Sequence, residues 1–252
     1  MAEAPIMTSW GDEGAAIPSL ELISSRGSRW AHRVLIALEE AHLPYKLTEV
    51  DLTNKPDWLF KANPQGLVPI LGVGTPPVYL TESANIVSYI TEHTPSIQPS
   101  TDLERARAAR IAEVAVDLLA GEISPDLIPV IIAPLSEDER ESYWNRSLGI
   151  VGTVQGLLDP EGPFALGQRF TETDILIAPL VGRLWAYGNH ALIPAGNLLT
   201  RLIEEDAKYA RFLKYVKAIS ERESWKKTWD EEFSISRLEK KIAQYKASQD
   251  KS

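Results

Sequence analysis

The sequence predicts a chain in two parts, an α/β layered domain followed by an all-helical one, and three observations carry that reading. Short apolar runs at 20–23, 45–50, 68–71 and 78–80 have strand length, and helical 3.6-residue spacing fills the intervals between them. The stretch Thr94-Pro95-Ser96-Ile97-Gln98-Pro99-Ser100-Thr101 is polar and proline-rich, as a linker should be. Beyond it, apolar positions keep helical spacing. The expected organisation is a flexible leader over 1–18, an α/β domain over 19–93, a linker over 94–102 and a helical domain over 103–252 that ends in a charged tail.

The elements follow in order. Leu20, Leu22 and Ile23 suit a first strand. Ser24-Ser25-Arg26-Gly27-Ser28-Arg29 reads as a loop in which Gly27 can take positive φ. Trp30, Val34, Leu35, Leu38 and Ala41 share a helical face, so a helix is expected from about 28 to 41, closed by Pro44. Residues 45–50 alternate as a second strand, and Asn54-Lys55-Pro56-Asp57 turns into a short helix carrying Trp58, Leu59 and Phe60. Strands over 68–71 and 78–80, joined by a turn over 72–77, lead to a helix over 83–92. The order β-α-β-α-β-β-α is a layered α/β arrangement.

In the second half, helices are expected over 103–120, 136–158 and 207–221, with a short one near Ser224 to Trp229. Pro125, Pro129 and Pro134 break the apolar stretch 126–132 into pieces. Thr171 and Asp174 have capping-box spacing ahead of Ile175-Leu176-Ile177, a structural device whose loss costs on the order of 1 kcal/mol. Residues 236–251 are charged with few apolar anchors and read as a surface or frayed tail.

Composition narrows the chemistry. The 252 residues are 44% hydrophobic and 24% charged, ordinary for a globular protein, with a formal net charge of -9. An acidic chain without a long basic run argues against nucleic acid as the main partner. No apolar run reaches membrane-spanning length, and residues 1–18 lack the apolar core of a secretory signal, so the cytoplasm is the default compartment. The chain has no cysteine, which removes disulfides, thiolate metal ligands and a cysteine nucleophile. His32, His42, His93 and His190 show no metal-ligand spacing, so no metal is expected.

The chain is organised around Asn63-Pro64-Gln65-Gly66-Leu67-Val68-Pro69-Ile70-Leu71 and the Thr81-Glu82-Ser83 that follows. A proline entering a strand belongs at its start, and a cis peptide is one way to place it there. Such a turn leaves the backbone of Val68 available for strand-type pairing with a peptide-like ligand. Glu82 and Ser83 sit at a helix start, where free N–H groups favour an anion. Each feature alone reads as an edge proline or an ordinary cap; their order carries more. Val68-Pro69 followed by Glu82-Ser83 resembles the glutathione site of the glutathione transferases. Ala31-His32-Arg33-Val34, Asp51-Leu52-Thr53-Asn54-Lys55-Pro56-Asp57-Trp58 and Lys61-Ala62-Asn63-Pro64 resemble the omega class, its fungal members in particular. The resemblance is dense from Leu20 to Ile90 and looser beyond, where the Thr171–Asp174 cap continues it. It implies a thioredoxin-like domain, an all-α second domain, glutathione as co-substrate and a homodimer.

The resemblance also assigns roles. Glu82 would accept the glutathione ammonium, Ser83 the γ-glutamyl carboxylate, Val68 the cysteinyl backbone and Lys55 the glycine carboxylate, although a lysine is usually a solvated charge. Where the omega pattern has Cys-Pro-Phe, this chain has Ser28-Arg29-Trp30. A serine forms no disulfide, but it can donate a hydrogen bond to a glutathione thiolate at a helix N-terminus; as an N-cap it could equally be structural. Ser24 and Ser25 are rivals for the thiol, and Arg26 and Arg29 add positive charge. A hydrophobic electrophile is expected near Trp30, Leu118, Glu122 and the Trp185–Tyr187 region, and His32 is expected on a helix face rather than as a base. The function implied is a serine-type glutathione transferase acting in detoxification or secondary metabolism, by addition, removal or aryl-ether cleavage. A protein that binds glutathione and hydrophobic ligands without turnover is the alternative.

Overall fold

A computed structural model describes residues 17–123, 136–188 and 203–249. Most of the expected leader, the proline-broken stretch 126–132, His190 and the last residues of the tail lie outside the described residues. The first domain is a four-stranded mixed sheet of order β2-β1-β3-β4. Strand β1 (Leu20–Ser24) pairs in parallel with β2 (Lys46–Glu49), and antiparallel with β3 (Ile70–Val73), which pairs antiparallel with β4 (Val78–Leu80). Helices α1 (Arg29–Glu40), α2 (Asp57–Ala62) and α3 (Ser83–Glu92) complete the thioredoxin-like unit. The expected strand at 68 begins instead at Ile70, because Val68 and the cis-linked Pro69 form the turn that feeds it, and it runs on through Gly72 and Val73.

The second half is helical. A 3₁₀ turn (Pro95–Ile97) precedes α4 (Asp102–Val116), which continues as a π-helical turn (Asp117–Ile123) rather than as one α-helix to residue 120. Then come α5 (Glu137–Leu157), α6 (Glu172–Gly188), α7 (Ala210–Ser220), α8 (Glu223–Thr228) and α9 (Glu231–Gln249). Ser136 caps α5 in a capping box with Glu139. One large apolar core joins both halves, from Leu22 and Val34 in the first to Trp144, Ile175 and Phe212 in the second. A smaller one under α2 gathers Ile23, Val50, Leu59, Ala62, Val68 and Ile70. Among the described residues no helix is long and apolar enough to cross a membrane.

The tail corrects the expectation from sequence. The expected frayed segment is the body of α9, a 19-residue helix, and Leu238 and Ile242 are both 4% exposed. Two apolar side chains at i and i+4 make one anchoring stripe, which suffices when the stripe lands on an existing core. Polar contacts fix where it lands. Asp230, just before α9, forms an ion pair with Arg26 on the loop after β1, and Arg237 Nη1 lies 3.5 Å from the Arg26 carbonyl.

The α6 start shows why capping-box spacing understates its residue. Asp174 is fully buried. Its carboxylate accepts from the Ala165 N–H at 2.8 Å, the Thr171 N–H at 2.8 Å and the Thr171 hydroxyl at 3.2 Å, tying the loop before α6 to the helix itself. Burial pushes its carboxyl up to about 6 despite these donors. Asp174→Ala strands buried N–H groups and should cost about 3 kcal/mol by denaturant unfolding, more than a surface cap. The pH effect has a definite sign. Unfolded, the carboxyl titrates near 3.8 and folded near 6, so the native state binds the extra proton between them. This group's contribution is therefore greatest below pH 4 and declines as pH rises through 6. Against Asp174→Asn, which does not titrate, wild type should lose roughly 3 kcal/mol of relative stability between pH 4 and 7; a constant difference would contradict the assignment.

Candidate functional site

Strand directions bring the expected site residues together. β1 and β2 are parallel, and β4 runs the same way because it is antiparallel to β3. The chain therefore leaves β1, β2 and β4 at the same end of the sheet at which it enters β3. Ser28 follows β1, Lys55 follows β2, Val68 precedes β3, and Glu82 and Ser83 follow β4. Four segments far apart in sequence open onto one sheet end.

Ser28 is the N-cap of α1, and its Oγ accepts the Ala31 N–H at 3.3 Å. The cap uses a lone pair and leaves the hydroxyl proton to be donated elsewhere. Ser28 is half-buried at the positive end of the helix dipole. Ser25 accepts the Ser28 N–H through its carbonyl at 3.0 Å. Ser24 is 2% exposed within β1, its carbonyl taken by the Val50 N–H at 2.8 Å. Of the three serines, Ser28 combines a helix N-terminus with partial exposure. Gly27 has φ +82°, and a Cβ there would stand 2.9 Å from Arg237 Nη1 and 3.0 Å from the Phe233 ring. Arg29 and Arg33 lie over Trp30, at 4.9 and 4.4 Å from its ring.

The loop before Val68 is fastened by Asn63, which is 6% exposed. Its Nδ2 donates to the Leu67 carbonyl at 3.1 Å, and its Oδ1 accepts the Gln65 N–H at 3.1 Å. The Val68 side chain is packed in the smaller core, while its N–H and C=O pair with no other backbone group among the described residues. Glu82 has φ +65°, a sparsely populated conformation for a side chain with a Cβ, and it holds the carboxylate exposed at the start of α3. Lys55 is half-buried between β2 and α2.

Sequence reasoning missed Arg33. This residue is 4% exposed, donates from Nε to the Leu176 carbonyl at 2.8 Å and from Nη1 to Ser83 Oγ at 3.2 Å, while Nη2 is buried without a partner. Burial and the nearby Arg29 lower its pKa to about 10, so it stays a cation. Because Ser83 Oγ accepts from Arg33, its own proton is directed to another acceptor, which suits a ligand carboxylate. The signal available was a charged residue three positions after Trp30 and four before Ala37, on the buried side of α1.

His32 does not join this group. It is 3% exposed, against Trp225 at 4.9 Å and Trp229 at 5.8 Å between ring centroids. Its Nδ1 faces Arg183 Nη1 at 3.3 Å and its Nε2 faces Thr228 Oγ1 at 2.9 Å. Arginine only donates, so Nδ1 accepts and Nε2 carries the proton. Burial first, and Arg183 second, push its pKa well down and keep the ring neutral. Leu118, Trp185 and Tyr187 are partly buried against the main core, and the side chain of Glu122 lies outside the described residues. A cavity of about 240 Å3 beside Thr91, Arg105, Glu172 and Leu176 lies between α3, α4 and α6 and includes neither Ser28 nor Trp30 in its lining. Among the described residues no cluster of side chains could hold a metal ion.

Residues 27–93 match the glutathione S-transferase N-terminal domain family. A probable glutathione S-transferase of rice (Oryza sativa subsp. japonica), DHAR2, chloroplastic, is 28% identical over 200 residues, 79% of this chain. The match spans 64% of that relative's own length. Among solved structures, glutathione transferase Omega 1C of Trametes versicolor superposes with a TM-score of 0.75 at 25% identity, over 90% of this chain and 97% of that one. Omega 2C of the same fungus gives 0.75 at 26% identity, over 90% and 99%. The chain thus carries a glutathione S-transferase N-terminal domain over residues 27–93, and its two halves together share the fold of omega-class glutathione transferases.

Proposed function

We propose that the chain binds glutathione across the shared sheet end and uses Ser28 to activate its sulfur toward a hydrophobic electrophile. The observation that carries this reading is Ser28 itself, an N-cap whose proton is free to be donated, on the same sheet end as Val68, Glu82, Ser83 and Lys55. Glu82 meets the ammonium, Ser83 with Arg33 behind it the γ-glutamyl carboxylate, the Val68 backbone the cysteinyl unit, and Lys55 the glycine carboxylate. The helix N-terminus, the Ser28 hydroxyl and the cations Arg29 and Arg26 favour the thiolate over the thiol, whose free pKa is about 8.5. Arg26 contributes least, since Asp230 already pairs with it. The thiolate then attacks the electrophilic carbon, a carbon–sulfur bond forms, and the leaving group departs with the electron pair. With no cysteine in the chain, the enzyme forms no mixed disulfide with glutathione. A homodimer, and a role in detoxification or secondary metabolism, belong to the same proposal.

Calorimetry with glutathione, joined to mass spectrometry of products from an electrophile panel, tests it. Ser28→Ala should keep glutathione affinity within a few-fold, lower kcat/KM about 100-fold and move the pH–rate profile to higher pH, as loss of an anion-stabilising donor does. Binding without any product would leave a non-catalytic binding protein; full activity in Ser28→Ala would move the role to Ser25 or Ser24.

Glu82 supplies a second test. Its positive φ costs roughly 1–3 kcal/mol, more than the 0.5–1 kcal/mol that glycine's freedom costs in the unfolded chain. Glu82→Gly should hold or raise the melting temperature while weakening glutathione binding about tenfold. A variant that loses stability, or keeps full affinity, would contradict the role of this residue.

A further inference from the structure

The cavity between α3, α4 and α6 is lined by none of the residues assigned above to glutathione or its sulfur. Its volume is about 240 Å3. A water molecule's share of the liquid is about 30 Å3, so a molecule of roughly eight heavy atoms fits. Ala108 and Ala112, one turn apart on α4, and Leu176 on α6 give it an apolar wall, and the space exists because those two α4 positions carry only methyl groups.

Much of the remaining lining is polar, and it bears negative charge. Glu172, the first residue of α6, is half-buried and accepts the Thr91 hydroxyl at 3.1 Å. Glu92, the last residue of α3, joins it in the lining. Neither carboxylate has an ion-pair partner among the described residues. Arg105, the cation in the lining, is exposed and pairs with Asp102. Burial raises the pKa of the Glu172 carboxyl, the Thr91 hydroxyl works against that, and the charge of Glu92 adds to it. The positive end of the α6 dipole favours the ionised form.

Thr173 is the independent sign of a ligand. It lines the cavity and is 1% exposed, and its Oγ1 is buried without a hydrogen-bond partner. Buried hydroxyls are ordinarily paired, so an unpaired one in a cavity wall marks a place for a ligand's polar hydrogen. An anion here would meet two carboxylates, and a neutral molecule would leave their repulsion in place. A cation bearing N–H groups answers both the charge and the unpaired oxygen. We propose that this cavity binds a small organic cation, a primary ammonium on a short apolar body. Its N–H groups donate to Glu172 and Thr173, Glu92 shares the charge, and the body lies along Ala108, Ala112 and Leu176.

Calorimetry on the full chain at neutral pH tests this with n-hexylamine, a cation there, against 1-hexanol and hexanoate, which keep a similar apolar chain without positive charge. The amine should bind at least about tenfold more tightly than the alcohol, and hexanoate should not bind at the site. Glu172→Gln should weaken the amine about tenfold and the alcohol less than about twofold. Thr173→Val removes an unpaired buried hydroxyl, so it should hold or raise the melting temperature while weakening the amine about threefold. Equal binding of amine and alcohol, or amine affinity that survives both substitutions, would overturn the proposal. So would displacement of the amine by saturating glutathione, since the ammonium would then occupy the place of glutathione's own at Glu82. Amine affinity that falls as the protein is concentrated would overturn it as well, because a basic side chain of a second copy would then be the occupant.

Discussion

Two consecutive polar side chains buried on α1, His32 and Arg33, fix the relation between the two halves of the molecule. Neighbouring helix positions point about 100° apart, so α1 must be enclosed on two sides for both to be buried. Arg33 reaches α6 through the Leu176 carbonyl and α3 through Ser83, while His32 reaches α6 through Arg183 and α8 through Thr228. An unpaired buried polar group costs about 1–3 kcal/mol and a charged one more, so any sliding of α1 is opposed at both positions. Glu40, at the far end of the helix, adds bonds to Arg222 and Ser224 at the start of α8. The N-cap Ser28 is thereby held in place by the body of its helix, and the candidate thiol site inherits that rigidity.

The same contacts connect the candidate site to domain packing. The side chain that supports Ser83 also donates to a carbonyl of the helical domain. The serine loop is touched by Arg183 from α6 and by Arg237 from α9, so its shape depends on residues remote in sequence. The first domain supplies the segments of the candidate site, and the second sets how they are held.

This division explains what could be read from the residues. Strand alternation, the Val68-Pro69 turn and the Glu82-Ser83 helix start depend on local chemistry, and the structure shows the cis bond, the helix start at Ser83 and the cap at Ser28. Arg33 was not legible because its role needs Leu176 and Ser83, which lie 143 and 50 positions away. The tail was misread for a related reason. Leu238 and Ile242 look sparse among charges, and only the surface presented by the Ser28 loop and the helical core makes them sufficient anchors.

The partners of the serine loop also set an order in time. Arg26 lies 204 positions before its ion-pair partner Asp230 and 211 before Arg237. A ribosome adding roughly 5–20 residues per second needs about 10–40 seconds to make the chain between them. Through that interval the sheet and α1 can assemble on the emerging chain, but the contacts that Phe233 and Arg237 of α9 make over Gly27 do not yet exist. The nascent domain thus passes through a stage in which the segments of its candidate site are made and its serine loop is not yet covered by α9, and the geometry of that loop is settled only after translation has passed α9.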